Sequence, residues 1–379
     1  MAEVVRVMIV DDSALYRQLV RNLLREIPDI EVVGSASSGS EALEKIDSFN
    51  PDLLTLDVEM PDVNGIAVLR ALRQKRSRVK AIMLSSLTMN GAQVTTDALL
   101  AGAFDFIHKP NNLDATKNRT VLLQQLTEKI EAFRESLKSS LPRRSFLAKG
   151  SGDKTPANSS SPLNISKTHD DLGIHAHLAS GAGTHSGIAF EAIAIGSSTG
   201  GPVALREVLA KLPVHTGLPV FVVQHMPAHY TTSLADRLND ACRIAVCEAR
   251  DGMLIEPNKV YIAPGGSHLC VATYHGKKII RTTDDPPEQS CRPAVDYTFR
   301  SVAEAYNGKV IGVVLTGMGR DGAEGCRVIK QRGGYVIAQH PEGCVVYGMP
   351  KVVVEQGLAD RVVPLDKIAA WISFQLAAN

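Results

Sequence analysis

Along the first part of the chain, short apolar runs alternate with stretches whose hydrophobic positions return every three or four residues. The runs fall at 4–10, 30–36, 53–56, 80–84 and 104–107. Runs this short, set between helical patterns, predict strands buried on both faces. The first helical stretch spaces Leu15, Leu19, Leu23 and Ile27 four residues apart and so predicts a single buried face. The second opens with Ser38 and Glu41 at capping-box spacing. Strict alternation of five strands and five helices over residues 1–126 predicts an α/β domain, a five-stranded parallel sheet with helices on both faces.

The pattern then collapses. Residues 139–186 are dominated by Ser, Gly, Pro, Lys and His, with few large apolar side chains. Such a segment buries too little surface to offset its chain entropy, so 127–187 is expected to be a linker. Its histidines, His169, His175, His177 and His185, read as solvated linker residues rather than a metal site. Alternation resumes over 188–379, with apolar runs at 192–195, 219–223, 260–263, 310–315 and 335–338. A second, doubly wound and mainly parallel α/β domain is expected there.

Composition narrows the function. The chain has 379 residues, enough for two cores, and 44% of them are hydrophobic. Lys and Arg number 41 against 40 Asp and Glu, which gives no basic excess for a nucleic-acid partner. No apolar run is long enough to span a bilayer, and the N-terminus, MAEVVRVMIVDDS, is a poor secretion signal; no membrane insertion and a cytoplasmic location are expected. All six cysteines lie in the C-terminal half with no CxxC pair, as expected for reduced thiols.

In the first domain the polar residues that end the apolar runs are informative. Asp11 and Asp12 follow the first run, Asp57 ends the third, Ser85 the fourth, and Lys109 follows the fifth. In a parallel α/β sheet these positions share one edge. Three converging carboxylates repel one another unless a cation lies among them, and oxygen ligands suit Mg²⁺. A carboxylate so placed can attack a phosphoryl group, with Lys109 balancing the added charge.

In the second domain the run 192–195 enters Gly196-Ser197-Ser198-Thr199-Gly200-Gly201-Pro202, a G-x-S-x-G turn followed by helical spacing at Leu205, Val208, Leu209 and Leu212. The turn exposes Ser198 and aims helix N–H groups at a developing oxyanion. An ordinary glycine-rich loop or a nucleotide cradle fits the same five residues, although neither G-x-G-x-x-G nor a P-loop lysine is present. A serine nucleophile needs a base and an orienting acid. His225 after the run 219–223 and Asp321 after the run 310–315 are placed for these roles, with His268 and Asp296 as rivals and His229 about one helical turn further on. The order Ser-His-Asp differs from the Ser-Asp-His order of α/β-hydrolases.

Two resemblances bear on these candidates. Residues 1–126 resemble the response-regulator receiver family, which implies a flavodoxin-like sheet in the strand order 2-1-3-4-5. That resemblance implies Asp57 as phosphoryl acceptor and Mg²⁺ held by Asp12, Asp57 and the backbone of Glu59 with help from Asp11. It also implies Ser85, Phe106 and Lys109 as switch residues, with Met60-Pro61 and Gly65 in the loop after the acceptor. Residues 188–379 resemble the chemotaxis protein-glutamate methylesterases through IGSSTGGP, VVQHMPAHYT, VYIAPGGSHL, RPAVDYTF, LTGMGRDGAEG and VVYGMP. This second resemblance implies Ser198 as nucleophile, His225 as general base and Asp321 as its orienting acid, with Thr199 and Met318 beside the oxyanion. It implies hydrolysis of receptor glutamate methyl esters and deamidation of receptor glutamines, a histidine kinase as phosphodonor, no cofactor for the ester chemistry, and restraint of the enzyme by the unphosphorylated receiver.

Overall fold

In the computed structural model, which describes residues 4–86, 88–110, 114–140 and 189–377, the two zones of alternation fold into two separate parallel sheets. The first is built from β1 (Val5–Val10), α1 (Ala14–Leu24), β2 (Ile30–Ala36), α2 (Gly39–Phe49), β3 (Leu53–Asp57), α3 (Gly65–Gln74), β4 (Lys80–Ser86), α4 (Met89–Leu100), β5 (Asp105–Lys109) and α5 (Ala115–Ser140). Its strand order is β2-β1-β3-β4-β5, as expected, and every pairing is parallel. Ser38 caps α2 by accepting from the Glu41 N–H at 3.2 Å, while the Glu41 carboxylate accepts from Ser37 N at 2.6 Å, one residue earlier than a strict capping box places it.

Two expectations fail here. Leu15 is 83% exposed, and the buried face of α1 consists of Val20, Leu23 and Leu24, with Ile27 buried just beyond the helix. A four-residue spacing overshoots the helical repeat by about 40° per step, so Leu15 has rotated off the face that Leu23 occupies. The boundary at 126 falls inside α5, because Leu122, Leu126, Ile130 and Phe133 continue one buried stripe along it. Phe133 packs edge-on against Phe104, ring centroids 5.6 Å apart; burying a side chain of this size contributes about 2 kcal/mol, which extends the helix into the expected linker. The rest of that linker, with its four histidines, lies outside the described residues.

The second sheet comprises β6 (Ala192–Ser197), α6 (Gly201–Leu209), β7 (Val220–Gln224), α7 (Tyr230–Ala241), β8 (Ala245–Glu248), β9 (Lys259–Ile262), β10 (His268–Tyr274), β11 (Lys277–Thr283), α8 (Val295–Ala305), β12 (Val310–Val314), α9 (Ala323–Gln331), β13 (Tyr335–Gln339), α10 (Met349–Glu355), β14 (Arg361–Val363) and α11 (Ile368–Ala377). Seven strands run parallel in the order β14-β13-β12-β6-β7-β9-β8, and β10 and β11 form a separate antiparallel pair. From β6 the chain winds first toward β8 and later returns through β12 toward β14, so the topological switch lies between β6 and β12. The short strands β8 and β14 and the half-exposed hairpin gave no clear apolar run in the sequence.

Candidate active site

Three loops leave the carboxyl ends of the central strands β12, β6 and β7, and each carries one predicted residue. β6 and β7 pair with Ser197 opposite Gln224, so Ser198 and His225 leave adjacent strands side by side. The elbow at Ser198 is fixed from several directions. Ser198 N donates to Thr316 O at 3.0 Å, and the Gln224 amide donates to Ser198 O at 2.9 Å. Gly200 caps α6 in the left-handed region (φ 79°), and a side chain on Gly201 would lie 1.8 Å from the Gln224 amide oxygen. Glycine is what allows this close approach.

Asp321 follows β12 and is 2% exposed. Its Oδ2 accepts from His225 Nε2 at 2.8 Å and from Val295 N at 2.7 Å, and its Oδ1 accepts from Asp296 N at 2.8 Å. The last two donors belong to the first turn of α8, whose positive end favours the carboxylate. Burial works against the charge on Asp321, but the imidazole and the backbone N–H groups outweigh it and hold this carboxyl below its usual range. Burial also favours a neutral His225; the bond to Asp321 and the contact with the Cys291 sulfur prevail and raise the imidazole to about 10. Its Nδ1 lies 3.5 Å from Cys291 Sγ, and among the described contacts the Ser198 hydroxyl makes no hydrogen bond to the ring.

The rival residues have structural duties. His268 is fully buried, its Nε2 bonded to Pro286 O at 3.1 Å and its Nδ1 accepting from Ala294 N at 3.2 Å, with Tyr297 stacked on it. The Asp296 carboxylate accepts from Gly325 N at 2.7 Å at the start of α9; burial and the neighbouring Asp321 push it up to about 6. His229 precedes α7, well exposed. No local pattern marked Cys291, which stands one residue before the RPAVDYTF segment, or Gln224 and Thr316, which hold the elbow from the end of β7 and from just beyond β12.

On the first sheet, Asp11, Asp12 and Asp57 bring carboxylate oxygens within 4.8 Å of one another. Lys109 Nζ lies 2.9 Å from Asp11 Oδ2 and 2.7 Å from Asp57 Oδ2. Burial raises Asp57 to about 6; Lys109 pulls it down and Asp11 pushes it further up. Glu59 N donates to Asp57 Oδ1 at 3.4 Å. This all-oxygen donor set, short of positive charge, fits a hard divalent cation.

The two rims meet across an interface in which α4 lies against α7 and α6. Phe106 packs on Tyr230 with centroids 4.5 Å apart, and the Tyr230 hydroxyl donates to Ser85 Oγ at 3.4 Å; Ser85 and Phe106 are both buried. Thr199, next to Ser198, donates its hydroxyl to Asp105, which also pairs with Lys129 at 2.9 Å. Met318, Val345 and Val346 of the second domain pack against the first domain's core cluster. Arg237 grips Asp97 with two bonds of 2.6 and 2.8 Å.

Known proteins share both domains. The family model for CheB methylesterase matches residues 193–372, and that for the response regulator receiver domain matches residues 7–120. A protein-glutamate methylesterase/protein-glutamine glutaminase of Desulfotalea psychrophila is 44% identical over 372 residues, covering 97% of this chain and 97% of that protein. One from Trichodesmium erythraeum is 42% identical over 370 residues, with 97% of each chain covered. The crystal structure of the Thermotoga maritima CheB methylesterase catalytic domain is 45% identical, with a TM-score of 0.48, and covers 49% of this chain and 98% of that one.

Proposed function

The chain belongs to the protein-glutamate methylesterase/protein-glutamine glutaminase family, with a receiver domain ahead of the methylesterase domain, and from that premise we propose that it demethylates and deamidates chemotaxis receptors under control of phosphorylation at Asp57. Ser198 is the nucleophile, His225 the general base and Asp321 the residue that orients the base. The observation that carries this reading is the 2.8 Å bond from His225 Nε2 to a buried Asp321, on the loops flanking the strand that leads into Ser198. With Nε2 engaged, Nδ1 is the nitrogen left to take a proton. Catalytic hydrogen bonds in a resting site are often long and tighten when substrate binds.

In the reaction the neutral form of His225, a minor fraction near neutral pH that grows as pH rises toward 10, takes the Ser198 proton at Nδ1 as Oγ attacks the γ-carbonyl carbon of a receptor glutamate methyl ester. The carbonyl oxygen becomes an oxyanion facing the N-terminal end of α6, near Thr199 and Met318. Collapse breaks the bond to methoxide, which takes the proton from the imidazolium and leaves as methanol. Water then repeats the sequence on the acyl-serine and releases glutamate. On a glutamine side chain the same steps expel ammonia. Replacing Ser198 by Ala is expected to lower methanol release from methylated receptors by about 10⁴-fold or more, as for other serine hydrolases. Near-normal release by a folded S198A protein contradicts the assignment.

Control comes from the first domain. Asp57 accepts the phosphoryl group from the histidine kinase of the chemotaxis system. Mg²⁺, held by Asp12, Asp57 and the Glu59 carbonyl with Asp11 nearby, supplies charge neutralisation when bound. Lys109 shares the added charge. Three contacts support a restraining role for the unphosphorylated receiver: Thr199 to Asp105, Phe106 on Tyr230, and Tyr230 to Ser85. Drawing Ser85 toward a phosphoryl group removes one of the two partners of the Tyr230 hydroxyl, the other being Ser86 O at 3.4 Å, and loosens the interface. The setting is the cytoplasm, where receptor glutamates are modified; among the described residues no helix is long and apolar enough to cross a membrane.

A further inference from the structure

Cys291 has no part in the ester chemistry above, yet it faces the catalytic base. Its Sγ lies 3.5 Å from His225 Nδ1, the nitrogen opposite the one bonded to Asp321. Thiol, imidazole and carboxylate thus form a continuous Cys-His-Asp chain, the arrangement that activates a thiol by delivering its proton to the ring. The placement is held rather than incidental. Cys291 closes a four-residue turn through Cys291 N to Glu288 O (2.8 Å) and Glu288 N to Cys291 O (3.1 Å). The two central residues, Gln289 and Ser290, have φ of 49° and 62°. Non-glycine residues in that region cost roughly 1 kcal/mol or more each, so the surroundings must enforce the turn. A paired contact between Arg300 and the Glu288 carboxylate anchors it. Cys291 is partly exposed, whereas Cys326 is buried.

We propose that Cys291 is an activated thiol and a modification site for small electrophiles, hydrogen peroxide among them, through which the esterase is reversibly switched off. The proposal concerns the same rim as the hydrolase reading and rests on it only for the loss of activity; the reactivity of the thiol stands apart. In the step with peroxide the Cys291 thiolate attacks one peroxide oxygen and the O–O bond breaks. The departing hydroxide takes the His225 imidazolium proton and leaves as water. Sulfur is oxidised to the sulfenic acid and peroxide is reduced. The oxidised sulfur then sits against Nδ1 and keeps it from the Ser198 proton. A thiol reductant reverses the change. Burial pushes the other five thiols up, Cys242 to about 11 and Cys344 to about 12, with Cys247, Cys270 and Cys326 also raised, so none of them competes.

The test is peptide mapping of the full-length protein after brief treatment with limiting iodoacetamide, and separately with hydrogen peroxide followed by a sulfenic-acid trap. Cys291 is expected to label about tenfold faster than any other cysteine, because it has an imidazole nitrogen in reach to take its proton as the sulfur attacks. His225→Gln should slow Cys291 labelling by a similar factor while leaving the other five unchanged. Peroxide should abolish methanol release in the wild type, a reductant should restore it, and Cys291→Ala should keep its own rate under the same treatment. Labelling of Cys291 no faster than the rest, or undiminished in the His225→Gln protein, overturns the proposal whatever the esterase does. Loss of methanol release in untreated Cys291→Ala comparable to that in Ser198→Ala also overturns it, by making the sulfur the nucleophile of the ester reaction.

Discussion

At the rim of the first sheet three carboxylates crowd together and two of them grip one ammonium; at the rim of the second a single carboxylate is matched to a single imidazole. Both sites hang on loops leaving the carboxyl ends of parallel strands, so the backbone offers each the same platform. The side chains give it opposite electrostatics. The acidic rim is short of positive charge at rest, with Asp57 raised to about 6, and so favours a cation followed by a phosphoryl group. The catalytic rim is balanced, with Asp321 held ionised by the first turn of α8 and by His225. One fold thus carries a charge-driven switch and a proton-relay enzyme, and the buried contacts from Thr199 to Asp105 and from Tyr230 to Ser85 join them.

The comparison can be broken most severely at the catalytic rim. Asp321→Asn keeps the shape but removes the charge that fixes the imidazole, and esterase turnover is expected to fall by about 10³- to 10⁴-fold. Steady-state methanol release measures it; a loss of less than tenfold means that Asp321 does not orient the base. At the acidic rim the expected effect is smaller and conditional. Asp57→Asn should leave the unphosphorylated rate near that of the wild type but remove the gain, expected to be about tenfold or more, given by a small phosphodonor with Mg²⁺. A mutant still stimulated by phosphodonor contradicts the acceptor assignment.

A third expectation concerns pH. The folded imidazole of His225 is raised to about 10 from an ordinary value near 6.5, so the stability it contributes is fully present below about pH 6.5 and is lost as pH rises toward 10. The melting-temperature gap between wild type and His225→Gln should therefore shrink across that window, by about 2–4 °C for each kcal/mol lost. A gap that widens with pH contradicts the raised value. The smallest effect is expected at the interface edge. Arg237 and Asp97 are each more than a third exposed, and such pairs contribute about 0.2–1 kcal/mol. Arg237→Ala should raise the unphosphorylated esterase rate by about fivefold at most. An increase matching full phosphorylation would place the restraint in this one ion pair.

Much of this was legible in the chain because strand ends are marked twice, by the end of an apolar run and by the polar residue that follows. Asp11, Asp57, Ser85, Lys109, Ser198, His225 and Asp321 were all found that way. The alternation also marked the first sheet as parallel, while its strand order was taken from known relatives of the fold. Other features depend on three-dimensional neighbours that no local pattern encodes. Position favoured His225 over His268 and the family resemblance chose it; the structure adds the physical reason, that one ring faces Asp321 while the other is tied to Pro286 and Ala294. Leu15 was misread because a spacing of four drifts around the helix, and the end of α5 because its buried stripe runs on into polar sequence. Cys291 and Tyr230 acquire meaning only from what the opposing loop or domain places against them.

The most direct measurement is to find where the acyl group lands. Methylated receptor peptide is mixed with the phosphodonor-activated enzyme, quenched in acid within the first turnover, and the digested protein is examined by mass spectrometry. A glutamyl adduct on the peptide carrying Ser198, absent from Ser198→Ala, is the predicted result. An adduct on Cys291, or undiminished methanol release by Ser198→Ala with no adduct, would contradict the account.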